Sequence, residues 1–199
     1  MLRLRCFVLF LLGSFYGTAQ FSSQEWHEGI LVTLNQDTIR GDIKYDFGTN
    51  MITVIINESV MAYSSYKVIY FEIFDKTYKT YREFYTLPYK QKGDYETPII
   101  FELQYEGNLS LLSRERIVQE SSNLNYSYIG PVIVQPSLRY DFYLLSKEGK
   151  MSYFNGSKKE LLNILSKKRN DLQSFIKSNK LKTDELRDLV KIIAFYNSI

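Results

Sequence analysis

Apolar and polar residues alternate with period two through most of the chain and switch near its end to a helical period, which predicts strands followed by helices. Ile30, Val32 and Leu34 lead into Asn35-Gln36-Asp37, after which Ile39, Ile43 and Tyr45 alternate with Thr38, Arg40, Asp42 and Lys44. That pattern is a hairpin. Gly41 takes an inward position of the second strand, which predicts a bulge or a close approach by another strand. Residues 51–56 are apolar on both faces, as in a central strand, and residues 66–74 continue the alternation with β-branched and aromatic side chains. Two more hairpins are expected, residues 98–103 with 109–112 and residues 140–145 with 151–154. Between them, residues 119–137 are rich in Ser, Asn, Gln and Pro, and Pro131 and Pro136 predict a long loop or edge excursion.

At Ser157 the period changes. Ser157-Lys158-Lys159-Glu160 matches a capping box, and Leu161, Leu162, Ile164 and Leu165 follow at helical spacing. A second helix is expected near Asn170, with Leu172, Phe175 and Ile176 inward, and a third after Thr183, with Leu186, Leu189, Val190 and Ile193 as its apolar stripe. Such short helices cannot bury their stripes alone, so they should pack on each other and on the sheet. The expected fold is α+β: a mainly antiparallel sheet, as sandwich, roll or open barrel, over residues 20–155, and a small C-terminal helical unit over 156–199.

The first residues carry a different signal. Arg3 and Arg5 precede the apolar run from Cys6 to Leu12, and Gly17-Thr18-Ala19 supplies small residues before a cut, so residues 1–19 read as a signal peptide. The run is far shorter than the roughly 20 residues that span a bilayer. The only cysteine, Cys6, lies inside it, so the mature chain would have neither a disulfide nor a thiolate metal site. The expected location is therefore exported: periplasmic, outer-membrane-associated or secreted.

Charge adds an asymmetry. Residues 20–155 hold 13 basic and 17 acidic side chains, whereas 156–199 hold 10 and 5. Lys158, Lys159, Lys167, Lys168, Arg169, Lys177, Lys180 and Lys182 make the helical end basic, an ordinary solvated face that could also touch anionic lipid peripherally, meet another acidic protein or dock on the acidic β part. Nucleic acid is a poor partner for an exported chain of this small net charge.

Candidate chemistry is sparse. His27 is the only histidine, which removes multi-histidine metal sites, and beside Trp26 it reads as a solvated or edge-packed ring. Glu72, Asp75, Glu83, Glu102 and Glu115 could supply an acid and a base only if two of them converged, and no spacing pairs any two. No phosphate-binding glycine loop, nucleophile elbow or EF-hand loop is present, and no cofactor is expected. The 17 tyrosines and 13 phenylalanines are the unusual feature. Tyr78, Tyr81, Tyr85 and Tyr89 cluster around Lys79, Arg82 and Lys90, where a sugar or peptide could stack, although tyrosine is also an ordinary strand residue.

Residues 29–45, with Asp37-Thr38-Ile39, Gly41, Ile43 and Tyr45, resemble the opening of uncharacterised exported proteins common in Bacteroidetes, which show a turn and then Gly-Asp-Thr-Ile-x-Gly-x-Ile. Gln36 stands where that pattern has Gly. Tyr63-Ser64, Arg82-Glu83-Phe84, Leu87-Pro88, residues 107–112, Arg114-Glu115 and the ending Tyr196-Asn197 extend the likeness. It implies export and architecture and carries no activity. The function expected is that of a non-catalytic envelope protein that binds a protein partner, the alternative being a soluble binder of a glycan or small apolar ligand on tyrosine-rich strands, with a carboxylate-based hydrolase ranked last.

Overall fold

The computed structural model describes residues 21–91, 93–121 and 134–199; the expected leader and the middle of the 119–137 stretch lie outside the described residues. The strands are β1 (His27–Thr33), β2 (Thr38–Asp46), β3 (Met51–Ile56), β4 (Ser59–Ser64), β5 (Val68–Asp75), β6 (Thr80–Tyr89), β7 (Thr97–Tyr105), β8 (Leu109–Ser121), β9 (Val134–Ser146) and β10 (Met151–Phe154). They form one antiparallel sheet in the order β10-β9-β8-β7-β6-β5-β1-β2-β3-β4. The α+β class expected from the periodicity is the class observed.

A short link forces the sheet to coil. Only the 3-10 turn Ser65–Lys67 joins β4 to β5, yet β3, β2 and β1 lie between them in the sheet. The link reaches at most about 14 Å, whereas a flat sheet would hold those strands roughly 19 Å apart. β1 to β5 therefore curl into a small open barrel. Gly29 and Gly41, opposite each other on β1 and β2, permit the curl, because a Cβ on either would lie 2.2 Å from a carbonyl oxygen of the next strand, Glu72 O and Ile55 O. This is the close approach expected at Gly41.

The concave side of the barrel is filled by Leu31, Ile43, Tyr45, Ile52, Val54, Phe71, Ile73 and Phe84. β7 and β8 pair only from Glu102 onward, so the first half of β7 would present bare backbone groups. Other parts of the chain cap them: the Ile100 N–H donates to Asn50 Oδ1 at 3.3 Å, Ser65 Oγ donates to Pro98 O at 2.7 Å, and the Arg114 guanidinium donates to Ile100 O, Asn50 Oδ1 and Phe47 O.

Helices α1 (Lys158–Ile164), α2 (Arg169–Ser178) and α3 (Leu186–Ser198) pack on β8, β9 and β10, where Leu111, Phe142, Leu144 and Phe154 meet Leu161, Leu172, Ile176, Leu189 and Ile193 in a second core. The contact is apolar, while Lys158, Lys159, Lys167, Arg169, Lys177, Lys180 and Lys182 stay exposed. The capping box is replaced by a different arrangement: Ser157 makes no side-chain cap, Glu160 instead accepts from the Asn155 N–H, and Asn155 accepts from the Ser157 N–H. Of the long loop or edge excursion expected over 119–137, the described parts, 119–121 and 134–137, are strands paired at the sheet edge. Pro136 is tolerated there because the far edge of β9 has no strand neighbour before Phe142 among the described residues.

Candidate functional site

Seven polar side chains meet between the two apolar cores. Asp75, Arg82, Glu102 and Glu115 all take the inward parity of their strands, in line with Ile73, Phe84, Ile100 and Leu111. Arg82 Nε and Nη2 hold Glu102 bidentately at 2.7 Å each. Nη1 donates to Ser22 Oγ at 2.9 Å and to Asp75 Oδ2 at 3.1 Å, and Nη2 also donates to Glu115. All five N–H donors of the guanidinium are thereby used. Asp75 accepts in addition from Ser22 Oγ at 2.5 Å and from the Thr77 and Tyr78 N–H groups, which fixes the β5–β6 turn. Tyr45 reaches Glu115 at 3.4 Å.

Sequence spacing does not reveal this convergence, but alternation carries a trace of it: each of the four ionic groups stands where its strand calls for an apolar residue. The shared cation decides their electrostatics. Burial raises the Glu115 carboxyl above the usual glutamate range, Arg82 opposes the rise, and Glu102 adds to it. Burial acts upward on Asp75 too, but hydrogen bonds from Ser22, the Tyr78 N–H and Arg82 outweigh it and hold that carboxyl low. Burial likewise pushes the Tyr45 hydroxyl well above its ordinary value.

His27 is fully buried, which corrects the expectation of a solvated or edge-packed ring. Its Nε2 lies 2.7 Å from Ser22 O, an atom that can only accept, so Nε2 carries the proton and Nδ1 has no partner. The grouping of Ser22, His27 and Asp75 is not a nucleophilic triad, because Ser22 donates straight to Asp75 and no carboxylate orients the imidazole. Among the described residues no group of three or more His, Cys, Asp or Glu side chains is placed to hold a metal ion. A cavity of about 670 Å³ lies beside the cluster, with Tyr45, Glu115, Arg114, Arg116 and Asp141 in its wall. The nearest charges are already engaged there, since Arg116 pairs with Asp141 at 3.0 Å and Arg114 holds the seam of the barrel.

The four tyrosines singled out in sequence lie on or beside β6, three of them on its outer face. Tyr81, Tyr85 and Tyr89 follow one another at every fourth residue, about 13 Å apart along the strand, and Tyr78 sits in the preceding turn. They do not share one pocket. Tyr81 packs on Phe74, Tyr85 on Tyr70, and Tyr89 on Phe101 and Tyr143, with ring centroids 4.9 to 5.8 Å apart. Tyr81 lines an open groove of about 980 Å³ with Arg40, Glu72 and Phe74, and Tyr89 enters a separate shallow depression of about 730 Å³ lined by Tyr89, Gln91, Tyr95, Thr97, Tyr143 and Tyr153. Tyr95, Tyr143 and Tyr153 were missed because they come from three separate segments that only the sheet order brings together. No protein-family model matches this chain, and neither a curated protein nor a solved structure is found to match it.

Proposed function

We propose that the protein is a non-catalytic, exported module of the cell envelope that binds another protein through the outer, aromatic face of its sheet. The observation that carries this reading is the tyrosine-lined depression over β6, β7, β9 and β10. Tyr95 is 85 % exposed and Tyr153 45 % exposed, and among the described residues no charged side chain lines the concavity. Flat aromatic side chains with a hydroxyl at the rim are the chemistry enriched in protein contacts. The carboxylates that come together are, by contrast, bound to one arginine in a solvent-poor interior, which supports a structural role for them.

The test is affinity capture of a tagged copy from gently cross-linked envelopes of the native host, beside a Tyr95→Ser/Tyr153→Ser variant. A reproducible partner lost in the variant is the expected result. A partner retained by the variant would move the contact elsewhere, and no partner at all would overturn the reading. Deleting residues 156–199 is not a usable probe, since the helices share a core with the sheet. A second reading, a neutral glycan stacked on the same tyrosines, is favoured by the Gln91 and Thr97 side chains at the depression. Titration of the purified protein with neutral oligosaccharides separates the two.

A further inference from the structure

The two ends of the sheet are not alike. β10 is four residues long and runs at once into the helical unit. β4 has six residues, pairs with β3 without a register shift from Met51 to Ile56, and has no strand on its outer edge among the described residues. Native edge strands are usually blunted by lysine, proline, an inward charge or a bulge. Ser59–Ser64 contains none of these, and Val60 and Met61 stand 65 % and 45 % exposed on its opposite faces. The far end is tied down, because the Ser65 N–H donates to Asn50 O at 3.0 Å and its hydroxyl to Pro98 O. The open stretch therefore runs from Ser59 to Tyr63, with Met61 at its centre.

We propose that β4 pairs antiparallel with β4 of a second copy, in a register centred on Met61, so that the sheet continues across a two-fold axis. Residues opposite one another in an antiparallel pair must point to the same side. In a symmetric pair the two residue numbers therefore share parity, and a residue such as Met61 can face its own copy. Ser59 then falls opposite Tyr63 and Val60 opposite Ala62. One side of the ribbon buries Val60 with Ala62, the other carries Met61 against Met61 flanked by Ser59 and Tyr63, and no charge opposes a like charge. Glu58 comes opposite Ser64, outside the paired stretch.

This self-match favours a second copy over an unrelated peptide, because the neutral sequence of β4 suits its own image on both faces. Closure also favours it. A two-fold contact consumes the β4 edge of each copy, and the other long free edge among the described residues, β9 before Phe142, is blunted by Pro136 and Arg139. A strand pair this short buries less than the roughly 1,000 Å² of a stable interface, so the dimer forms in a concentration-dependent way.

The test uses the full chain in a Cys6→Ser background. Sedimentation over a range of protein concentration is expected to show a monomer–dimer equilibrium that Ala62→Lys, an exposed position, returns to monomer without changing the circular dichroism spectrum. Under mild oxidation Met61→Cys is expected to cross-link nearly fully, because residue 61 faces its copy at about 5 Å. Val60→Cys is expected to stay uncross-linked, because two copies of residue 60 lie diagonally about 7–8 Å apart, beyond the reach of a disulfide. A chain that stays monomeric at every concentration, a dimer indifferent to Ala62→Lys, or equal cross-linking at positions 60 and 61 would each overturn the proposal.

Discussion

Arg82 holds three carboxylates that would otherwise repel one another in a water-poor interior. Removing one partner of such a group is far costlier than the net worth of the pairs, because the charges left behind stay buried. Arg82→Met is therefore expected to destabilise the protein by about 3–5 kcal/mol in urea unfolding. Arg82→Lys should recover only part of that, since a lysine has no fork to hold Glu102 bidentately. Glu115 acts in the opposite direction. Its folded-state carboxyl titrates above the ordinary glutamate value, so between those two points the folded chain binds more protons and stability falls as pH rises. Glu115→Gln removes that slope. It should raise stability at neutral pH, read from unfolding free energies across that window. Asp75 is separable, because its stabilising contribution is present above the ordinary aspartate value and is lost only in stronger acid, as pH falls through its lowered folded value. None of this pairing is visible from spacing along the chain, since the four groups come from four strands whose neighbours only the sheet order defines.

Among the elements, the first hairpin was the most legible, because alternation and turn composition agree there. In its turn Gln36 has φ of +67°, a left-handed conformation that costs a residue with a Cβ. Gln36→Gly is expected to stabilise the protein by up to about 1.5 kcal/mol, the left-handed penalty of roughly 1–2 kcal/mol less the entropic cost of glycine of roughly 0.5–1 kcal/mol, seen as a higher urea midpoint with an unchanged slope. The helices were legible for a similar reason, since Leu161, Leu172 and Leu189 lie on clear apolar stripes and all three are buried. β4 and β6 were not. β4 is too exposed to show an apolar face, with Ser59 to Ala62 all open to solvent. β6 carries Arg82 where the inward alternation calls for an apolar side chain, so its pattern breaks at the residue that matters most. The outer parts of β8 and β9 were hidden by polar composition. Their ladder instead uses diagonal ion pairs, Arg116 with Asp141 and Arg139 with Glu120, which offset two arginines placed directly opposite each other.

In the molecule as a whole, barrel and helices are two cores strung along one concave sheet face, the arginine cluster sits where they meet, and a smaller third cluster of Ile99, Phe101, Leu112 and Tyr143 lies on the opposite face. Removing residues 156–199 strips the cover from Leu111, Phe142, Leu144 and Phe154. The expected outcome is a chain that binds hydrophobic dyes and loses cooperative thermal unfolding, measured by dye fluorescence and calorimetry. The three-residue link from β4 to β5 has a further, kinetic consequence. β1 pairs early with β2 but meets β5 only about 40 positions later in the chain, as in Leu31 with Phe71. As the chain is synthesised from its N-terminus, β1 must keep its second edge open until β5 appears. The smallest piece able to close the barrel therefore ends near Asp75, the first carboxylate that awaits Arg82. β6 then brings the guanidinium itself, and β7 and β8 each bring one more carboxylate to it, so the cluster registers the progress of assembly along the chain.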